Sequence, residues 1–140
     1  MIELIMVILI IGILAVFALP RLDERGYQEI GYRDRVKATL EHARKAAVAQ
    51  RRNVQVALAA GSVTVTIASD VPEGAGATTY DRNLVLPGSN SNQITAPAGV
   101  TLSPAATIVF DPLGRPSATG NFTVSGGGSI IVEAETGHVH

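Results

Sequence analysis

MIELIMVILIIGILAVFAL, residues 1–19, is the stretch that decides the architecture of this 140-residue chain. From Leu4 to Leu19, sixteen consecutive residues carry neither a charge nor a polar side chain. At about 1.5 Å per residue, a helix of this length reaches roughly 28 Å, near the hydrocarbon thickness of a bilayer. Its residues leave no wet face, so the helix needs lipid or other apolar helices around it. A cleaved secretory signal would require a basic segment before the apolar run and a small-x-small cleavage site. Neither is present, since no Lys or Arg precedes Leu4 and Ala15-Val16-Phe17-Ala18 has the wrong spacing. A helix buried in a soluble protein would need more covering chain than the remaining 120 or so residues supply. A membrane anchor is the expectation that remains, with Pro20 marking a kink or an end.

Outside this stem the character changes abruptly. Glu3 is the only charged side chain before residue 20. Arg21 to Arg52 holds nine Lys/Arg and five Asp/Glu, whereas Asn53 onward holds two Arg and six acids. The overall net charge of −1 is too small to point to a polyanionic partner. There is no Cys, which excludes disulfides, thiolate metal sites and cysteine nucleophiles. Aromatic residues make up 4% of the chain and Trp is absent, so the head must be built on Val, Ile, Leu and Ala.

Beyond the stem, Tyr32, Val36, Leu40, Ala43 and Ala47 recur at steps of three and four, with Val54 seven further on, and define one helical face. Arg33, Lys37, Glu41, Arg44 and Arg51 fall on other faces. Disturbances are expected at Pro20, Gly26 and Gly31. The small residues of the apolar face would let a sheet approach closely. Val54-Gln55-Val56-Ala57-Leu58 and Val63-Thr64-Val65-Thr66-Ile67 alternate around Ala59-Ala60-Gly61-Ser62, which predicts a hairpin with the Val, Leu and Ile side chains inward. Residues 70–100 read as a long exposed region, with Leu84-Val85-Leu86 as a short strand. Thr107-Ile108-Val109-Phe110 is a strand ended by the turn Asp111-Pro112-Leu113-Gly114. Asn121–Val124 and Ser129–Glu133 flank Gly126-Gly127-Gly128 as a second hairpin. The fold class is therefore α+β: a long N-terminal helix packed on antiparallel β-sheet. The expected organisation is an apolar stem over 1–20, an amphipathic helix over 21–53 and a β-rich head over 54–140.

Ile2-Glu3-Leu4-Ile5, then Val7-Ile8-Leu9-Ile10-Ile11-Gly12-Ile13-Leu14-Ala15 and Pro20, resembles the N-terminal helix of type IV pilins and type II secretion pseudopilins. Leu40-x-x-Ala43-Arg44-x-x-Ala47, Val54-x-Val56, Ile108–Gly114 and Glu135-Thr136-Gly137-His138-Val139 resemble the GspH/FimT branch of those proteins. The resemblance implies a single-pass subunit held in inner-membrane lipid with a periplasmic head. It also implies assembly with other pilins or pseudopilins through stem helices, driven by an inner-membrane platform. Glu3, Gly12 and Pro20 match the family's assembly positions, with Glu3 neutralising the N-terminus of an adjacent subunit. A prepilin peptidase cuts and methylates family members; the leader and first two mature residues are not in this sequence, so processing is implied by the family alone.

Arg44, Lys45, Arg51 and Arg52 are the densest basic group. A solvated helix end, contact with an acidic partner, and DNA phosphate binding are the three readings of that group. Some FimT-type relatives bind DNA through cations toward the C-terminus, and the ending Gly137-His138-Val139-His140 lacks such a tail. A third course is a membrane-anchored β-domain that never polymerises. His138 and His140 share one face if extended, but two imidazoles without a third ligand make a weak metal site, so no metal and no cofactor are expected. Asn121-Phe122-Thr123 fits an N-glycosylation pattern that is common by chance. No GxSxG, Walker, HExxH or EF-hand pattern occurs, and the chain is not expected to be an enzyme.

Overall fold

A computed structural model describes residues 1–18, 24–69 and 79–140. The apolar stretch forms α1, Ile2–Ala18. The second helix, α2, spans Glu24–Gln50. It runs without a break through Gly26 and Gly31, so the disturbances expected at those two residues do not occur. Each glycine costs about 1 kcal/mol of helix propensity, and burial of the face from Tyr32 to Ala47 outweighs that. Tyr32, Val36, Leu40, Ala43 and Ala47 are all buried, as the spacing requires.

The helix ends in a Schellman motif. Arg51 N–H donates to Val48 O at 3.4 Å and Arg52 N–H to Ala47 O at 3.2 Å. Arg51 takes the left-handed position of that motif, with φ of 50°, where glycine is usual.

Strand β1 (Val54–Ala59) and strand β2 (Ser62–Ile67) form the expected hairpin, with Val54 opposite Ile67, Val56 opposite Val65 and Leu58 opposite Val63. All six of those side chains are buried. The middle of the chain departs from expectation. Leu84-Val85-Leu86 is not a strand; instead β3 (Arg82–Asn83) and β4 (Gln93–Thr95) share the outer edge of β2. Asn92 joins the two short strands, its Nδ2 donating to Val65 O and to Asn83 Oδ1, each at 3.1 Å. Most described residues of this region are exposed, as expected, but Leu86, Ile94 and Val100 are buried and anchor it against the sheet edge. Its apolar residues are too widely spaced to show a period, which is why its pairing was hidden.

Strand β5 (Leu102–Ser103), unforeseen in the sequence, begins a second sheet. Strand β6 (Ala106–Phe110) returns to β1, pairing Val54 with Phe110 and Val56 with Ile108. Strands β7 (Gly120–Val124) and β8 (Gly128–Val132) make the second hairpin, beside β5. The five strands β1, β2, β3, β4 and β6 form one antiparallel sheet and β5, β7 and β8 another. Leu102 N–H donates to Ala60 O at 2.9 Å across the two. The free edge of β8 is covered by the last residues: Ile131 and His140 exchange backbone hydrogen bonds of 2.8 and 3.0 Å. Helix α2 lies against both sheets and closes one core containing Phe110, Phe122, Ile130, Val132 and Val139.

Candidate functional site

Two regions carry the residues that the sequence singles out: α1, and the junction between the end of α2 and the last turns of the head. Glu3 lies in the first turn of α1, where the helix dipole favours an anion. No described residue forms an ion pair or hydrogen bond with it. The apolar residues around it are exposed in the single chain: Leu4 by 67%, Ile8 by 63% and Leu14 by 62%. A Cβ on Gly12 would meet nothing within 4 Å, so nothing inside one chain requires glycine there. Pro20 lies outside the described residues. No helix among the described residues is long and apolar enough to cross a membrane.

The four cations have different surroundings. Arg52 is built into the head: its Nη1 donates to Ala68 O at 3.1 Å and to Ser69 O at 3.0 Å, tying the end of α2 to the end of β2. Arg51 supplies the helix cap and is exposed. Lys45 is exposed. Arg44 is half-buried, and its aliphatic stem fills a slot between two glycine turns. A Cβ on Gly114 would stand 3.4 Å from Arg44 Nε, and one on Gly137 would stand 3.2 Å from Arg44 Cδ. Arg44 therefore does not occupy a purely solvated helix face.

That slot brings together three segments far apart in sequence: Leu40–Ala47 on α2, the turn after β6, and Glu135–Val139. Asp111 organises the middle one. Its Oδ1 accepts from Leu113 N–H at 2.9 Å and Arg115 N–H at 2.8 Å, and its Oδ2 pairs with Arg115 Nε at 3.2 Å. Gly114 N–H closes the turn on Asp111 O at 2.9 Å. Gly114 and Gly137 both have positive φ, 83° and 64°, a region L side chains disfavour. The sequence shows Asp111 as part of a turn, and the Asp at its first position was the available signal for this role.

At the other end of the helix, Gly126 and Gly127 press against Glu29. A Cβ on Gly126 would fall on the Glu29 carboxylate, and one on Gly127 would lie 2.6 Å from Glu29 O. The glycine run serves as a docking turn as well as a hairpin turn. Arg35, with Leu86, Pro87, Gly88, Ser89 and Ile94, lines a groove of about 140 Å3 beside α2. Arg35 also bears on Tyr32. Burial raises the Tyr32 phenol above its ordinary pKa, and the Arg35 charge opposes that shift. His138 and His140 are exposed on one face, with ring centroids 5.5 Å apart. Among the described residues no group of three His, Asp or Glu side chains could hold a metal ion.

A family model described as "Type II transport protein GspH" matches residues 33–136. No curated protein gives a significant match. Two solved structures resemble the chain. The minor pseudopilin EpsH of the Vibrio cholerae Type 2 Secretion System superposes with a TM-score of 0.53 at 14% identity, covering 76% of this chain and 90% of EpsH. The Pseudomonas aeruginosa type IV minor pilin FimU gives a TM-score of 0.50 at 14% identity, over 76% of this chain and 86% of FimU. With most of its length matched by the family model, the chain belongs to the GspH family of pilin-like proteins, and its fold is theirs. Membership makes it a structural subunit and not an enzyme.

Proposed function

We propose that the chain is a minor pseudopilin or pilin subunit, held in the inner membrane by its stem and carried from there into a filament. The observation that carries this reading is the contrast between the two helices. Helix α2 buries a full apolar face in the head, whereas the large apolar side chains of α1 from Ile2 to Val16 are exposed all round. Such a helix demands an apolar surround supplied by something other than its own chain. Lipid tails supply it before assembly, with the head on the periplasmic side. Neighbouring stems supply it afterwards.

The exchange between those two surrounds involves little hydrophobic gain, because acyl chains are as apolar as Leu or Ile. Packing of small against large residues and neutralisation of Glu3 then set its direction. Gly12 gives the stem one position of close approach, and the carboxylate of Glu3 meets the cationic N-terminus of the next subunit. An inner-membrane platform would drive the transfer and a prepilin peptidase would prepare the N-terminus, as in the family. The alternative partner for Arg44, Lys45, Arg51 and Arg52, DNA phosphate, gains no support: Arg52 already serves two carbonyls and the Arg44 stem is packed between turns.

Replacing Glu3 with Ala tests the proposal. Membrane insertion of the full chain should be kept, while the fraction recovered in sheared filaments should drop at least tenfold. Equal recovery of Glu3→Ala and wild type would refute the role given to this carboxylate.

A further inference from the structure

We infer that the outer edge of β4, with the groove between it and α2, binds an extended acidic segment of a partner protein as an added strand. The inference is independent of the filament reading. The register shows which main-chain groups are open. Asn92 O accepts from Val65 N–H at 2.8 Å and Ala96 N–H donates to Gly61 O at 2.9 Å, with Ile94 opposite Val63 between them. Residues 92, 94 and 96 therefore turn their main-chain groups toward β2, and Gln93 and Thr95 turn theirs away from it. Gln93 N–H donates to Ser91 Oγ at 3.1 Å. The Gln93 carbonyl and both main-chain groups of Thr95 have no partner among the described residues. Other edges are covered within the chain: Ser117 N–H donates to Val109 O at 2.8 Å beside β6, and His140 pairs with Ile131 beside β8. Strand β4 carries no charge and no Pro to guard its edge.

The groove says what such a strand should carry. Ile94 is buried and lines it together with Ala38 and Thr39 of α2 and Leu86 and Pro87 of the loop across from them. A strand bonded to Gln93 and Thr95 places one residue opposite Ile94, in a pair without hydrogen bonds where Cα atoms approach to about 4.5 Å. That residue's side chain lies on the same face as Ile94 and enters the groove. Apolar walls suit its methylene groups. Arg35, also lining the groove, is exposed and makes no ion pair with a described residue, so it suits a carboxylate at the end. The Thr39 hydroxyl is already committed, donating to Arg35 O at 2.8 Å. Glu has the length to span from strand to guanidinium. A second copy pairing through its own β4 fits less well: Gln93-Ile94-Thr95 brings no acid, and each copy adds another Arg35.

Fluorescence anisotropy of a labelled peptide, Thr-Val-Thr-Glu-Thr-Val-Thr, titrated with the full chain in detergent, tests this. The expected result is saturable binding, at least tenfold weaker when Lys replaces the central Glu. Thr95→Pro removes one open N–H without touching the β2 pairing, since Pro is tolerated on an edge whose N–H faces solvent, and should weaken binding at least tenfold. Arg35→Glu should reverse the preference, so that the Lys peptide binds better than the Glu peptide. Lys45→Ala should leave binding unchanged. Absence of saturable binding overturns the site. Equal affinity for the Glu and Lys peptides overturns it too, and so does a Thr95→Pro variant that binds as tightly as wild type. Dimers of the full chain that Thr95→Pro dissolves would make a second copy the occupant and overturn the assignment to a partner protein. Circular dichroism of each variant, matching wild type, establishes that a lost affinity reflects a lost contact.

Discussion

Gly137 packs so closely on Gly114 that a Cβ at position 137 would overlap the Gly114 carbonyl oxygen. This contact joins the turn after β6 to the turn before the terminal strand, over the stem of Arg44. Gly137→Ala must move a backbone carbonyl and also place Ala at a positive φ of 64°. The expected loss of stability is about 2–3 kcal/mol, measured by chemical unfolding of the full chain in detergent. Gly114→Ala should cost less, about 1–2 kcal/mol, because its nearest obstacle is the Val48 Cγ2 methyl at 3.1 Å, a side chain that can give.

Arg51 is the reverse case. It holds the left-handed cap of α2 at a φ of 50° although it carries a Cβ. Arg51→Gly should raise stability by about 0.5–1 kcal/mol, through relief of that backbone cost. Thermal unfolding of the two proteins side by side checks the sign.

Arg52 ties the helix end to the carbonyls of Ala68 and Ser69. Removing a cationic donor from two acceptors costs about 1.5–3 kcal/mol in a buried setting and toward the lower end here, where the contact is only partly buried. Arg52→Ala should therefore be destabilising, whereas Lys45→Ala, at an exposed position, should change stability by less than about 0.5 kcal/mol. Denaturant midpoints of the two variants separate these outcomes.

Tyr32 gives a pH dependence of defined sign. Burial raises its phenol pKa in the folded state above the ordinary 10.0, so the folded chain keeps a proton that the unfolded chain releases. Stability should be constant with respect to this group below pH 10 and should fall as pH rises beyond it. Tyr32→Phe should remove that part of the alkaline loss. At neutral pH the same variant should be neutral or slightly stabilising, because the Tyr32 hydroxyl is buried without a hydrogen-bond partner among the described residues. Unfolding free energies of both proteins at pH 7 and above pH 10 check both expectations.

The fold was legible where a period was strong. The helical face from Tyr32 to Ala47 and the alternation of Val54–Leu58 and Val63–Ile67 are each buried as their spacing requires. Strands β3 and β5 have two residues each, too short for any alternation, and they exist through pairing with β2 and β7. Candidate site residues differ in the same way in how far they are marked locally. Glu3 stands out because it is a lone charge in an apolar run. The slot around Arg44 depends on contacts between distant segments, which no local pattern records.

The central claim is that the stem exchanges lipid for neighbouring stems under the control of Glu3. Single Cys replacements at exposed α1 positions such as Ile5, Ile8 and Val16, oxidised in membranes of cells assembling the filament, test it most directly. The account predicts stem-to-stem disulfide dimers at pairs of positions separated by a constant offset, reduced at least tenfold when Glu3→Ala is combined with them. An absence of stem dimers in filament-bearing cells, or an identical dimer pattern with and without Glu3, would contradict it.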